Sequence, residues 1–198
     1  MTTRDEILTA IRDHRPASRE LPQVPDFRTA ADDLIGLFAA ALARLDGKTI
    51  TQPPADLQQW LSQTFPDASR ICSAVPETSG TSTPADFTDW AAPADLDVTV
   101  VRTPLGVAET GSILVTEKEL GVNTVAVLAQ HLVVLLDPAD LVENIHLAYR
   151  HPSFQDATYA VLLSGPSGSA DIGGVTVHPA QGVTTLTVIL SPREREMA

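Results

Sequence analysis

The chain has 198 residues, 43% of them hydrophobic, which is enough for a well-buried domain and too apolar for global disorder. Its formal net charge of −12 disfavours nucleic acid or an anionic membrane as a main partner, because phosphate groups are bound by clustered Lys and Arg. No apolar run has the length of a membrane span, and the first residues lack the features of a signal peptide, so we expect a cytoplasmic protein.

The chain contains a single cysteine, Cys72. One thiol cannot form an internal disulfide, and by itself it cannot hold an iron–sulfur cluster or a thiolate zinc site. We therefore expect no cofactor in this chain and predict that Cys72 is a buried apolar thiol.

The first elements are helical. Thr3 and Glu6 have the spacing of a capping box, and apolar residues then predict a short helix that ends before Pro16. Three prolines in residues 16–25 indicate a linker. We therefore divide the chain into a helix and linker over residues 1–25 and a single α/β domain over residues 26–198.

Helices and short strands alternate in the next part of the chain. Helical spacing over residues 34–45 stops at Gly47, a strand is predicted over 48–51, and a helix opened by Pro53 and Pro54 continues to Phe65. Another strand follows over 70–75, whereas 76–95 read as an irregular insertion with a helical turn near Phe87 and Trp90. The alternation predicts an α/β fold with a mostly parallel sheet flanked by helices.

The second half of the chain is richer in strands. Strands are predicted over residues 98–101, 113–116, 132–136 and 159–163, with a polar turn between Glu117 and Thr124. Asp137 as N-cap and Pro138 in the first turn predict a helix that runs to Ala148 and stops before Pro152. Residues 175–177 and 183–190 are predicted strands that could form a hairpin at the sheet edge.

The segment GVAETGS places Glu109 beside a buried strand. Burying a carboxylate is unfavourable unless the charge is paired or hydrogen-bonded, so we expect this residue to have a specific role. One interpretation is structural: the carboxylate accepts hydrogen bonds from turn amides near Gly111 and Ser112. The other is functional: Glu109 is a base or nucleophile whose pKa is raised by partial burial at the carboxyl end of a sheet, where ligands bind in open α/β folds. Thr110 and Ser112 could donate to a ligand or bond the turn.

A second candidate is the loop SGPSGSAD, which follows the strand predicted over 159–163. It lacks the Lys of a P-loop and the spacing of a dinucleotide fingerprint, which disfavours nucleotide binding by those routes. Its backbone amides, around Ser164, Gly165 and Ser167, could receive a small carboxylate or phosphate. Asp171 could line the same site or cap a short turn.

The five histidines show no metal-binding spacing. His131 stands at the entrance to the strand predicted over 132–136, where a structural hydrogen bond and a catalytic role are both open. His178, in a late loop, is a second candidate. Ser167, His131 and Asp171 could be drawn as a triad, but no nucleophile-elbow context supports one.

With GVAETGS, QHLVVLL, LLSGPSGSADI and TLTVIL in this order, the chain resembles the lactate utilisation protein C family, the LUD domain, over about residues 97–191. The resemblance implies a fold similar to sugar-phosphate isomerases and CoA-transferases. It also implies a role in oxidising L-lactate to pyruvate alongside two iron–sulfur proteins that carry the clusters. The family's acidic motif falls on residues 109–112, its strand-entry histidine on His131 and its Ser-Gly-Pro-Ser loop on 164–167 with Asp171. Family members usually carry an arginine where this chain has Gly168.

We therefore expect a subunit or accessory protein of an iron–sulfur-dependent lactate oxidation system. One alternative is a stand-alone enzyme like CoA-transferases or isomerases, with Glu109 as acyl acceptor or base. Another is a regulatory module that binds a small anion. The candidate catalytic residues are Glu109 and His131. The candidate ligand-binding residues are Thr110, Gly111, Ser112, Ser164, Gly165, Ser167 and Asp171.

Overall fold

The structure, a computed structural model, describes residues 2–20, 22–25, 27, 32–169, 177 and 181–193. The helices are α1 (Thr3–Asp13), α2 (Leu34–Ala43), α3 (Leu57–Thr64), α4 (Glu117–Leu120), α5 (Val125–Leu128), α6 (Ile145–Arg150) and α7 (Pro152–Gln155). The strands are β1 (Lys48–Ile50), β2 (Ile71–Ser73), β3 (Val98–Arg102), β4 (Gly106–Val107), β5 (Ser112–Thr116), β6 (His131–Leu136), β7 (Leu141–Val142), β8 (Ala160–Leu163) and β9 (Thr185–Leu190).

Five strands form a parallel sheet, the main sheet, in the order β1-β9-β6-β3-β2. The strands β6 and β9 lie at its centre and are almost entirely apolar, as expected for strands covered on both faces. The predicted α/β fold with a mostly parallel sheet is confirmed.

Four further strands form a second sheet in the order β7-β4-β5-β8, which the sequence analysis did not predict. Its strands β4 and β5 form an antiparallel hairpin, and β8 also pairs antiparallel with β5. Side chains of this sheet, such as Ile113 and Val115, pack in one cluster with Leu132 and Val134 of β6. The second sheet therefore covers one face of the main sheet.

The two faces of the main sheet are covered by different elements. Phe38 and Leu42 of α2 join the cluster on the side of the second sheet. Leu57 and Leu61 of α3 pack against the alternate residues of the central strands, including Val133. Because side chains alternate along a strand, neighbouring residues of β6 point to opposite faces.

The helix predicted from Asp137 is wrong over its first half. Asp137 does cap a turn, accepting from the backbone N of Ala139 at 2.9 Å, but that turn is a single 3-10 turn over Pro138–Asp140. The next two residues form β7, whose backbone pairs with β4. The helix α6 begins only at Ile145, after the N-cap Asn144. Sheet pairing thus overrides the helical spacing.

The predicted edge hairpin at the end of the chain is also wrong for its second strand. The strand β9 lies inside the main sheet and pairs in parallel with both β1 and β6. Residues 175 and 176 lie outside the described residues, and Val177 forms a single antiparallel bridge with Ser169. The apolar composition of β9 fits its central position.

Smaller corrections concern the ends of helices. The capping box of α1 is formed by Thr2 and Asp5, one residue earlier than predicted, and α3 is capped by Asp56 rather than opened by the prolines. The polar turn predicted between Glu117 and Thr124 is present only over residues 121–124, because the residues before it form the short helix α4. The irregular segment 76–95 is confirmed and contains the 3-10 turns Pro84–Asp86 and Ala92–Asp95.

The amino-terminal helix stands apart from the core. No residue of α1 is buried, and Ile7 and Ile11 are more than half exposed. Within the described ranges, no helix is long and apolar enough to cross a membrane.

Candidate functional site

All strands of the main sheet are parallel, so their carboxyl ends meet at one edge, the carboxyl edge. In open α/β sheets this is the edge at which ligands bind. The last residue of β3 is Arg102, and β9 is followed by Ser191, Pro192 and Arg193. Two arginines therefore lie at the edge where a ligand is expected, at or just after the ends of the strands on either side of β6.

The Arg102 side chain is held by the chain end that follows β9. Its Nη1 donates to the backbone O of Ser191 at 2.9 Å, and its Nη2 forms an ion pair with Glu77 Oε1. The side chain is 17% exposed, so the guanidinium is fixed in place and still reaches solvent. A preorganised guanidinium is well suited to a carboxylate ligand.

Arg193 is fixed in a similar way. Its Nη2 donates to the backbone O of Thr103 at 2.9 Å and lies 3.3 Å from Asp140 Oδ2. Its backbone N donates to Asp137 Oδ2 at 3.0 Å, which ties the segment after β9 to the end of β6. The two arginines are thereby positioned by backbone contacts from different strands.

Both arginines line a cavity of about 280 Å³, the carboxyl-edge cavity, together with Lys118 and Glu119 of α4. The Glu119 carboxylate accepts from the backbone N and hydroxyl of Thr116 and caps its own helix. Lys118 is exposed and has no partner among the described residues. Three cations and one carboxylate line this cavity, and the carboxylates of Glu77 and Asp140 pair with its two arginines.

Glu109 lies elsewhere, in the turn of the β4–β5 hairpin. It is exposed, so the partial burial predicted for it is wrong, because a hairpin turn of the second sheet reaches solvent. Its Oε2 accepts from the backbone N of Ile145 at 3.2 Å, at the start of α6, and its own N donates to the backbone O of Glu143. A structural contact is therefore present, although with α6 rather than with the turn amides. A catalytic role of Glu109 stays a prediction.

The hydroxyls next to Glu109 join the hairpin to β8. Thr110 Oγ1 and Ser112 Oγ are 2.6 Å apart, and Ser112 Oγ lies 2.5 Å from Ser164 Oγ. The structure thus brings three of the predicted ligand-binding residues into one chain of hydrogen bonds. Their hydroxyls already satisfy one another, which gives them a structural role.

Gly111 and Gly165, both predicted as ligand-binding residues, lie against the backbone of α2 and of the turn that follows it. Gly111 has φ +64°, and a Cβ there would come within 2.3 Å of the backbone N of Leu42. Gly165 has φ +79°, and its Cβ would lie 2.2 Å from the backbone O of Leu45. Both positions require glycine for conformation and for space.

Two backbone amides of the loop predicted to bind an anion already donate hydrogen bonds within the protein. Ser167 N donates to the backbone O of Val183 at 2.9 Å, and Ser169 N donates to the backbone O of Val177 at 3.1 Å. The Ser167 hydroxyl bonds the backbone of Gln181. The loop borders a cavity of about 300 Å³ that has both polar and apolar lining residues. Asp171, Ala170 and His178 lie outside the described residues.

His131 lies far from the hairpin in the architecture, at the amino end of β6. Its neighbour Leu132 faces the second sheet, so His131 faces α3 on the other side of the main sheet. Its Nδ1 is 2.9 Å from Thr185 Oγ1, which is the structural hydrogen bond that the sequence allowed. Glu109 and His131 therefore do not share a cleft.

Cys72 is fully buried, as predicted, and burial raises the pKa of its thiol to about 11. Within the described ranges, no group of three or more His, Cys, Asp or Glu residues could hold a metal ion.

The basic residues of the carboxyl edge were missed by the sequence analysis. A signal was present: Arg102 directly follows the predicted strand 98–101, and Arg193 comes shortly after 183–190. In a parallel sheet such positions meet at one edge. Lys118 could not be found in this way, because only the fold brings α4 to the same edge.

Comparison with known proteins gives a family and a fold. The model of the LUD domain matches residues 92–191. A crystal structure of a DUF162 family protein from Deinococcus radiodurans is similar, with a TM-score of 0.61 and 13% sequence identity, covering 79% of this chain and 95% of that one. The search of curated proteins found no significant match.

Proposed function

The chain belongs to the LUD domain family, and we propose that it is the component of a lactate-utilisation system that binds a small organic-acid anion at its carboxyl edge. The ligand class follows from the site: a carboxylate such as L-lactate or pyruvate. The observation that carries the proposal is the convergence of Arg102, Lys118 and Arg193 on the carboxyl-edge cavity.

The size and charge of the carboxyl-edge cavity support this ligand class. Its volume of about 280 Å³ accommodates a molecule of a few heavy atoms. Each arginine is held by a structural partner, so little conformational entropy is lost when the side chain binds a ligand. Lys118 supplies a mobile ammonium that can close on the carboxylate.

Oxidation of L-lactate to pyruvate releases two electrons, and we propose that two iron–sulfur partner proteins receive them. An iron–sulfur cluster needs several thiolate ligands, whereas this chain has one cysteine, buried in the core. In this scheme the chain is an accessory subunit that presents the anion to the redox partners.

Calorimetric titration of the full chain with L-lactate and pyruvate tests the binding site. We expect saturable binding that is weakened roughly ten- to hundredfold in Lys118→Ala, because a charge-assisted hydrogen bond contributes about 1.5–3 kcal/mol. Lys48→Ala is a matched control, since Lys48 is the other lysine of the chain and lies at the opposite edge of the sheet. Equal weakening by both substitutions would contradict the proposal.

Lactamide provides a second control, because it has the shape of lactate without the charge. It should not bind detectably at concentrations that saturate with lactate. Binding of both with similar affinity would show that the three cations do not recognise the ligand.

The accessory role is tested by purification from the native host under anaerobic, low-salt conditions. We expect two cysteine-rich iron–sulfur proteins to accompany the chain. Isolation of the chain alone under these conditions would count against the subunit role and leave the anion site intact.

A further inference from the structure

A second cavity lies at the amino edge of the main sheet. It has a volume of about 530 Å³ and is bordered by the first residues of β1, β6 and β9 and by the end of α3. This amino-edge cavity lies at the opposite end of the strands from Arg102 and Arg193. It is therefore separate from the proposed anion site.

One wall of the amino-edge cavity is aromatic. The Phe65 ring stacks on the His131 imidazole, with centroids 4.6 Å apart and planes inclined by 28°. The Trp60 indole meets Phe65 edge-on, with centroids 6.1 Å apart. Trp60 lines the cavity and is partly exposed, so it offers an apolar, polarisable surface to a flat ligand.

The floor of the amino-edge cavity carries hydrogen-bonding groups. His131 Nδ1 is bonded to Thr185 Oγ1, which fixes the ring, and Nε2 has no partner among the described residues. Thr187 is only 6% exposed and lines the cavity, so its hydroxyl is available to a molecule bound there. A hydroxyl can both donate a hydrogen bond to a ligand and accept one from it.

The charges around the amino-edge cavity are unlike those of an anion site. Asp67 and Asp97 border it and face a single lysine, Lys48. Burial lowers the pKa of His131, opposed by the nearby Asp97 carboxylate, so the imidazole is mainly neutral at pH 7. The lining therefore carries two carboxylates and one ammonium group, which disfavours binding of phosphates and carboxylates.

We propose that the amino-edge cavity binds an uncharged or cationic planar heteroaromatic ring, of the nucleobase or pyridinium class. The ring lies along Trp60 and Phe65, and a polar atom on its edge bonds to Thr187 and to His131 Nε2. The volume of about 530 Å³ is in the range of sites for cofactor-sized ligands, and leaves room for a sugar or a similar substituent.

Tryptophan fluorescence can report on the amino-edge cavity. The chain has two tryptophans, and Trp90 is 73% exposed, so Trp90→Phe leaves Trp60 as the single reporter. Titration with adenosine and with N-methylnicotinamide should quench Trp60 emission in a saturable way for at least one of the two. Absence of saturable quenching with both would overturn the proposal.

Thr187→Val tests the hydroxyl in that background. It keeps the shape of the side chain and should weaken binding roughly fivefold, whereas Thr187→Ser should restore affinity. Thr49→Val is the matched control: Thr49 lies on the neighbouring strand β1, and its hydroxyl is buried without a partner in the described part. Equal effects of the two valine substitutions would overturn the assignment of Thr187.

Adenosine monophosphate tests the ligand class. The phosphate should weaken binding relative to adenosine, because Asp67 and Asp97 border the cavity. Tighter binding of the monophosphate would show that the site recognises anions and that the proposed class is wrong. Lactate binding at the carboxyl edge should be unchanged in Thr187→Val, which separates this test from that of the proposed function.

Discussion

At the scale of single residues, the segment around Glu109 is explained mostly by packing. Gly111 lies against the backbone of α2, and Ser112 bonds Ser164 across to β8. Glu109 accepts from the first amide of α6. Each residue therefore connects the β4–β5 hairpin to a neighbouring element, and the hairpin is a structural junction.

Substitution of Gly111 tests this packing. Gly111→Ala should destabilise the fold by roughly 2 kcal/mol more than Gly121→Ala, because overpacking is added to the cost of a positive φ. Gly121 is a suitable control, since its φ is +63° and an added Cβ would meet its nearest neighbour at an ordinary 3.6 Å. Urea unfolding measures both changes, and equal losses would contradict the packing explanation.

His131 should make stability depend on pH. Burial lowers its pKa below the ordinary 6.5, so the unfolded chain binds the proton more readily than the folded one. Stability from this residue is complete above about pH 6.5 and is lost as the pH falls through the lower, folded pKa. The melting temperature should therefore fall more between pH 7.5 and 5.5 in the native protein than in His131→Gln. Parallel falls would exclude His131 as the cause.

At the scale of elements, short helices are fixed by single side chains that bond other elements. Glu117, at the start of α4, accepts from the backbone N of Thr158 and of Tyr159, each at 3.0 Å, just before β8. These two bonds lower the pKa of Glu117 to about 2. A helix of one turn is not stable alone, so such contacts hold it in place.

The pKa of Glu117 gives a second dependence on pH. Because the folded pKa is lowered, its contribution is present above about pH 4.5 and is lost as the pH falls toward 2. Glu117→Gln should lower the melting temperature at pH 7, and the gap from the native protein should narrow below pH 4.5. Glu20→Gln, at an exposed position of the linker, should show no gap at either pH. A gap that is constant across this range would contradict the argument.

At the scale of the whole molecule, the main sheet separates two chemically different edges. The carboxyl edge gathers Arg102, Lys118 and Arg193, whereas the amino edge gathers an aromatic wall and two carboxylates. The central strands between them are apolar and buried. The fold can therefore hold two ligands of different charge without contact between them.

The amino-terminal helix should be dispensable for this architecture. No residue of α1 is buried. Among the described residues that follow α1, the Val24 backbone O accepts from Arg150, and the Phe27 ring lies against His146. Removal of residues 1–20 should leave the melting temperature nearly unchanged. Removal of residues 1–31 should lower it. A large loss on the shorter deletion would show that α1 stabilises the core.

Much of the fold could be predicted from local pattern. The parallel strands of the main sheet read as continuous apolar runs because both faces are covered, and α2 and α3 have helical apolar spacing. The structure after Asp137 was more difficult to predict, since β7 forms only by pairing with β4. The second sheet escaped prediction for the same reason: its two-residue strands have no signal of their own.

The sequence by itself determined the α/β class, the buried Cys72 and the residues at the ends of the strands. Only the tertiary structure decided which of these residues meet. Glu109 and His131 are 22 positions apart in the sequence, yet the main sheet separates them, whereas Arg102, Lys118 and Arg193 come together from three elements. The physical reason is that strand pairing decides which face of the sheet a side chain points to and which strand ends lie side by side. Pairing joins residues that are distant along the chain.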